Sequence, residues 1–125
     1  MYRFDYGSII NNQEEILLKI KNNFLDEDFI DEDYPNKVLM INHLKNKKII
    51  YNKVLQDIKI SKRRKVYFYH ERKKELYLVE YKYVCKYVEQ LEPWEEVDCL
   101  IFNNTFKWII GYNHEEEIYY SKPYK

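Results

Sequence analysis

From Val97 onward the chain reads VDCLIF, NNT, FKWIIGYN and then, after HEEE, IYYS. These three runs of β-branched, aromatic and aliphatic residues, split by residues that favour turns, leave little choice but adjacent antiparallel strands. Asn103 and Asn104 provide a turn in which asparagine tolerates left-handed backbone better than most residues. Residues 97–102 and 106–113 therefore form a hairpin, and residues 118–121 return as the third strand of a meander. On the middle strand Phe106, Trp108, Ile110 and Tyr112 share one face, while Lys107, Ile109, Gly111 and Asn113 share the other. The first set is expected to pack on helices and the second to be half exposed.

Upstream the pattern is mixed. Residues 2–6, YRFDY, alternate as a short strand would. Ser8 or Asn12 can cap a helix over residues 13–25, which carries Glu14 and Glu15 in its first turn and Ile16, Leu17, Ile20 and Phe24 at helical spacing. After Pro35, Val38, Ile41 and Leu44 fall on one stripe and Ile50, Val54 and Ile58 on another, so two short helices are expected over residues 36–60. VYFYH reads as a strand with ERKK as the turn behind it, and the spacing of Leu78, Tyr81, Val84 or Cys85, Val88 and Leu91 predicts a helix over residues 79–91, closed by Pro93. The expectation is one α+β domain over residues 1–125, a mainly antiparallel sheet of about four strands with helices packed on one face.

Composition narrows the functions. There are only two glycines, Gly7 and Gly111, so a glycine-rich phosphate loop is excluded and no nucleotide or other cofactor is expected. Net charge is zero, and the whole-molecule field argues for neither nucleic acid nor membrane. No apolar run approaches membrane-spanning length and the N-terminus lacks a signal-peptide pattern, so a soluble, cytoplasmic protein is expected. Cys85 and Cys99 sit among apolar neighbours and read as a buried, reduced pair. Alanine is absent while Lys, Asn, Ile and Tyr abound, which points to a low-GC bacterium or one of its phages or mobile elements.

Candidate chemistry is sparse. His114 followed by Glu115, Glu116 and Glu117 offers ligands or an acid-base pair, yet consecutive strand residues alternate faces and no second histidine stands at ligand spacing, so a solvated hairpin end is expected and no metal. Neither cysteine has the electropositive setting of a nucleophile, and Glu92, Glu95, Glu96 and Asp98 read as a solvated connection. Catalytic residues are therefore not assigned. Six acids among residues 26–33, with Phe29 and Tyr34 as aromatic anchors, suit capture of a basic protein partner. Asp28, Phe29, Asp31, Glu32, Asp33 and Tyr34, with Trp94, Glu95 and Glu96, are the expected partner-binding residues. The alternative is a single-stranded nucleic-acid face over residues 62–74, in which Arg63, Arg64 and Lys65 neutralise phosphates while Tyr67 and Tyr69 stack on bases. A small hydrolase or nuclease built on His70 or His114 ranks below both.

The stretch EPWEEVDCLIFNNTFKWIIGYNHE, residues 92–115, resembles the closing hairpin of families of small bacterial α+β proteins, some of them immunity proteins that neutralise polymorphic or contact-dependent toxins. The resemblance covers about a fifth of the chain and rests on the aromatic-x-Trp pair Phe106 and Trp108, which it implies are structural. It implies a stand-alone binding protein of α+β build and no catalytic residue; separately, a monomer or small homo-oligomer is expected.

Overall fold

A computed structural model describes residues 7–26, 39–92, 94–95 and 97–123. The expected strand at residues 2–6 and the acidic stretch at 27–33 lie outside the described residues, as do Tyr34, Pro93 and Glu96. The elements run β1 (Ser8–Ile9), α1 (Gln13–Phe24), a 3-10 turn (Met40–His43), β2 (Lys48–Ile50), a second 3-10 turn (Leu55–Asp57), β3 (Lys65–His70), β4 (Glu75–Glu80), α2 (Tyr81–Glu89), β5 (Cys99–Phe102), β6 (Ile109–Tyr112) and β7 (Ile118–Ser121). All seven strands join one antiparallel sheet in the order β1-β4-β3-β5-β6-β7-β2.

This corrects the expected architecture twice. The sheet has seven strands rather than about four, and its two short helices cover opposite faces rather than one. Alternating residues of the same strand show it: Phe68, Tyr77, Cys99, Ile101, Ile110 and Ile118 cluster with Tyr81, Val84, Cys85 and Tyr87 of α2. Tyr69, Leu76, Leu100, Phe102, Ile109 and Tyr119 cluster instead with Ile16, Leu17, Ile20 and Phe24 of α1 and with Met40 and Ile41. A sheet covered twice needs strands apolar on both faces, and β5, CLIF, is buried at every position. Burying each large side chain contributes on the order of 2 kcal/mol, so the two cores share the work of holding the sheet.

The expected helix over residues 79–91 is real only from Tyr81, because residues 75–80 pair along the whole of β3. Its first amides are satisfied by main chain instead of a capping side chain: Tyr81 N–H donates to Arg64 C=O at 2.8 Å and Lys82 N–H to Lys62 C=O at 2.9 Å. Of the two helices expected over residues 36–60, residues 36–38 lie outside the described part; the rest forms two 3-10 turns flanking the edge strand β2. The 103–105 turn is likewise built differently from expectation. Neither asparagine is left-handed; Phe106 is, at φ 54°, and the Asn103 carboxamide oxygen accepts from Thr105 N–H and Oγ1–H at 3.2 and 2.6 Å. The left-handed Phe106 breaks the alternation, so its ring joins Phe102 on the α1 face while Trp108, Ile110 and Tyr112 stay on the α2 face. Of the expected half-exposed set Lys107 is exposed, whereas Ile109, Gly111 and Asn113 are buried: Gly111 lies under Ile41, whose Cγ1 and Cδ1 would come within 2.7 and 2.8 Å of an added Cβ.

Candidate binding groove

At the end of the α2 face where β2 meets β7, the chain leaves a groove of about 1010 Å³. One wall is the C-terminal end of α2 and the segment after it, through Val88, Glu89, Leu91, Glu92 and Glu95. The second is the path from β2 into the second 3-10 turn, residues 49–57, and the third is the β6–β7 connection, residues 113–117. Leu55, Val97, Tyr112 and Ile118 belong to both the groove and the α2-side core, so the floor is apolar and continuous with packed interior.

Each wall has a local cause. Asp57 accepts from Val54 N–H at 3.0 Å and Tyr81 Oη–H donates to Leu55 C=O, which pins the 55–57 turn to α2. In the β6–β7 connection the Asn113 carboxamide oxygen accepts from Glu115 N–H at 3.0 Å and Glu117 N–H at 2.9 Å, and Glu116 takes the left-handed φ of 62°. HEEE is thus a tight asparagine-organised turn at the exposed end of the β6–β7 hairpin. Hydrogen bonds from Asn113 and Tyr119 hold the Glu117 carboxyl below its ordinary pKa.

Asp98 anchors that turn. It is 1% exposed, against the expectation of a solvated connection. Its Oδ1 accepts from His114 N–H at 3.2 Å and lies 3.0 Å from His114 Nδ1, and its Oδ2 accepts from Arg72 Nε–H at 2.5 Å. A histidine oriented by a buried carboxylate is an acid-base arrangement in form. Burial pushes the Cys85 thiol up and the Cys99 thiol well up, so neither is a thiolate nucleophile at neutral pH. The remaining histidines are engaged elsewhere: His43 Nδ1 lies 3.1 Å from Asp26 Oδ1, and His70 is packed in the α2-side core against Phe68 and Tyr87. Among the described residues no cluster of three metal-ligating side chains is present.

Among the described members of the sequence-derived partner-binding set, Glu95 lines the groove and Trp94, next to it, is 77% exposed. Asp28, Phe29, Asp31, Glu32, Asp33, Tyr34 and Glu96 lie outside the described residues. Of the alternative set, Arg63, Arg64 and Lys65 are exposed. Their aromatic companions are committed to packing: Tyr67 stacks on Phe102 with ring centroids 5.4 Å apart, and Tyr69 is 5% exposed in the α1-side core. Sequence reasoning missed Tyr51 and Val54, which are 73% and 57% exposed at the groove and were assigned to helices, and it missed the convergence of Glu89 and Glu92 with Glu115 to Glu117. The two glutamate runs were visible; only the β5–β6–β7 pairing brings them together.

Compared with known proteins, the chain matches no family model, no curated protein and no solved structure. Among the described residues, no helix is long and apolar enough to cross a membrane.

Proposed function

We propose that the protein works in the cytoplasm by binding another protein, as an inhibitor of the immunity type that occludes a toxin or enzyme. One observation carries the reading. Of the six large hydrophobic side chains exposed among the described residues, Ile49, Tyr51 and Val54 line the groove, and Trp94 stands beside its wall. Exposed apolar groups scattered singly mean little, whereas their concentration at one concavity rimmed by charge is the anatomy of a protein-binding face. The likeness of the closing hairpin to immunity proteins points the same way.

The test is capture from native bacterial lysate on immobilised full-length protein, with and without nuclease, compared with the double variant Glu115→Lys/Glu116→Lys. A single dominant protein that survives nuclease and is lost with the variant is the expected result. Recovery of nucleic acid alone, or of proteins that vanish with it, would transfer the function to Arg63, Arg64 and Lys65.

A further inference from the structure

Resting on the proposal that the groove is the binding face, we infer that its occupant is a lysine- or arginine-rich amphipathic segment of the partner protein, with apolar side chains on the floor and cations along the walls. Seven of the described residues lining the groove are acidic and one is a lysine, in a chain whose net charge is zero. An excess of six negative charges around one concavity is therefore a local segregation of charge, not a reflection of composition. Six of the seven acids fall on two walls, and the seventh, Asp57, shares the remaining wall with Lys53. Glu89, Glu92 and Glu95 project from the end of α2 and the segment after it, and Glu115, Glu116 and Glu117 come from the β6–β7 connection, with the apolar floor between. Glu89, Glu92, Glu115 and Glu116 are exposed side chains, so their role in the fold itself is small.

An apolar strip between two acidic walls selects by two criteria at once. A polyanion such as nucleic acid is repelled by both walls. A purely cationic chain satisfies the walls and leaves Val54, Tyr51 and the floor hydrated. A purely apolar segment covers the floor and gives the walls no partner. Only a segment alternating cations with apolar anchors meets both, drawing its association rate from the charge and its residence from the burial.

The probe is a fluorescently labelled peptide of alternating lysine and leucine, titrated onto the full-length protein by anisotropy beside two control peptides, one of glutamate and leucine and one of lysine alone. The lysine-leucine peptide is expected to bind at least tenfold more tightly than either control. Glu115→Lys/Glu116→Lys should weaken it roughly tenfold, since rim charges act mainly on encounter and salt dependence, and Val54→Asp should weaken it by a similar factor. Glu14→Lys/Glu15→Lys, a matched change on α1 across the sheet, should leave it unaltered. Equal binding of lysine-leucine and lysine-only peptides would overturn the inference by showing a charge effect without a groove. Equal binding of the glutamate-leucine peptide would overturn it by showing an apolar site indifferent to charge. Either result alongside groove-dependent capture of a partner from lysate leaves the binding-protein reading standing with a differently built partner. Peptide selectivity without any captured partner would support the chemistry of the groove and remove the inhibitor reading.

Discussion

The imidazole of His70 gives the sharpest test of the packing described above. His70 closes β3, is 3% exposed, and meets Phe68 and Tyr87 edge-on with ring centroids 6.4 and 6.3 Å away. Its Nδ1 is buried with no hydrogen-bond partner among the described residues. Desolvation first, and the Lys73 charge second, pull its pKa from 6.5 down to about 4, against weaker opposing pulls led by Glu75. The native state therefore keeps the ring neutral at a pH where the unfolded chain already takes a proton. Stability from this group is complete above pH 6.5, falls by up to ~1.4 kcal/mol per pH unit between 6.5 and 4, and falls no further below that. The full loss is about 3 kcal/mol, which at a urea m-value of roughly 1.5 kcal/mol/M moves the midpoint by about 2 M. The assay is urea unfolding at several pH values from 7.5 to 4.0, on the natural protein and on His70→Leu. Leucine fills similar space among the rings and removes the unpaired nitrogen, so at pH 7 the variant should lie within about 1 kcal/mol of the natural protein. Carboxylates that titrate further down are common to both proteins and cancel in the difference. Curves that fall in parallel between pH 6.5 and 4.5 would refute the reasoning, because the slope would then belong to other groups.

Two further changes probe how the α1-side core is tied down. Gly111→Ala drives a methyl into Ile41 and should cost about 1–3 kcal/mol. Ile41→Val, which deletes Cδ1, should recover part of that cost in the double variant, giving a favourable coupling in a thermal or urea double-mutant cycle where independent sites would simply add. The buried Glu71 carboxylate accepts Met40 N–H at 2.6 Å and Ile41 N–H at 2.9 Å, capping the first 3-10 turn from the β3–β4 connection. Glu71→Ala should cost about 2–4 kcal/mol by leaving both amides unpaired, with hydrogen exchange at Met40 and Ile41 accelerating most; unchanged exchange there would sink the assignment.

What the sequence yielded tracks how local each signal is. α1 was legible because four apolar residues at helical spacing and two N-terminal glutamates agree over a single continuous stretch. The β3 strand, the ERKK turn and the C-terminal meander were legible for the same reason. β4 was not: ELYLVE is largely buried on both sides, so it reads as a near-continuous apolar run that merges with the helical spacing of α2. The sheet's outer strands span two and three residues, too few for a two-residue period to show, and they exist through pairing with Leu78 and Tyr77 at one edge and with residues 118–120 at the other. The second helical layer was foreshadowed by CLIF, since a strand with one wet face cannot be apolar at four consecutive positions.

The candidate site was half legible for a related reason. Sequence charge counts treat neighbouring acids alike, and Glu92, Glu95 and Asp98 were grouped as one solvated run. In the fold Asp98 has become interior while Glu92 and Glu95 line the groove. The distinction comes from partners distant in the chain. Arg72 and His114 approach the Asp98 carboxylate, and its carbonyl accepts from Glu71 N–H at 2.9 Å. Glu71 in turn holds Met40 and Ile41 on the opposite face of the sheet. Two buried carboxylates at one end of the sheet thus connect the groove's third wall to the packing of the α1 side. A buried acid is costly unless each oxygen is satisfied, so these two are sustained only while both layers are in place, and the position of the groove's glutamates is secured by parts of the chain that never touch what binds there.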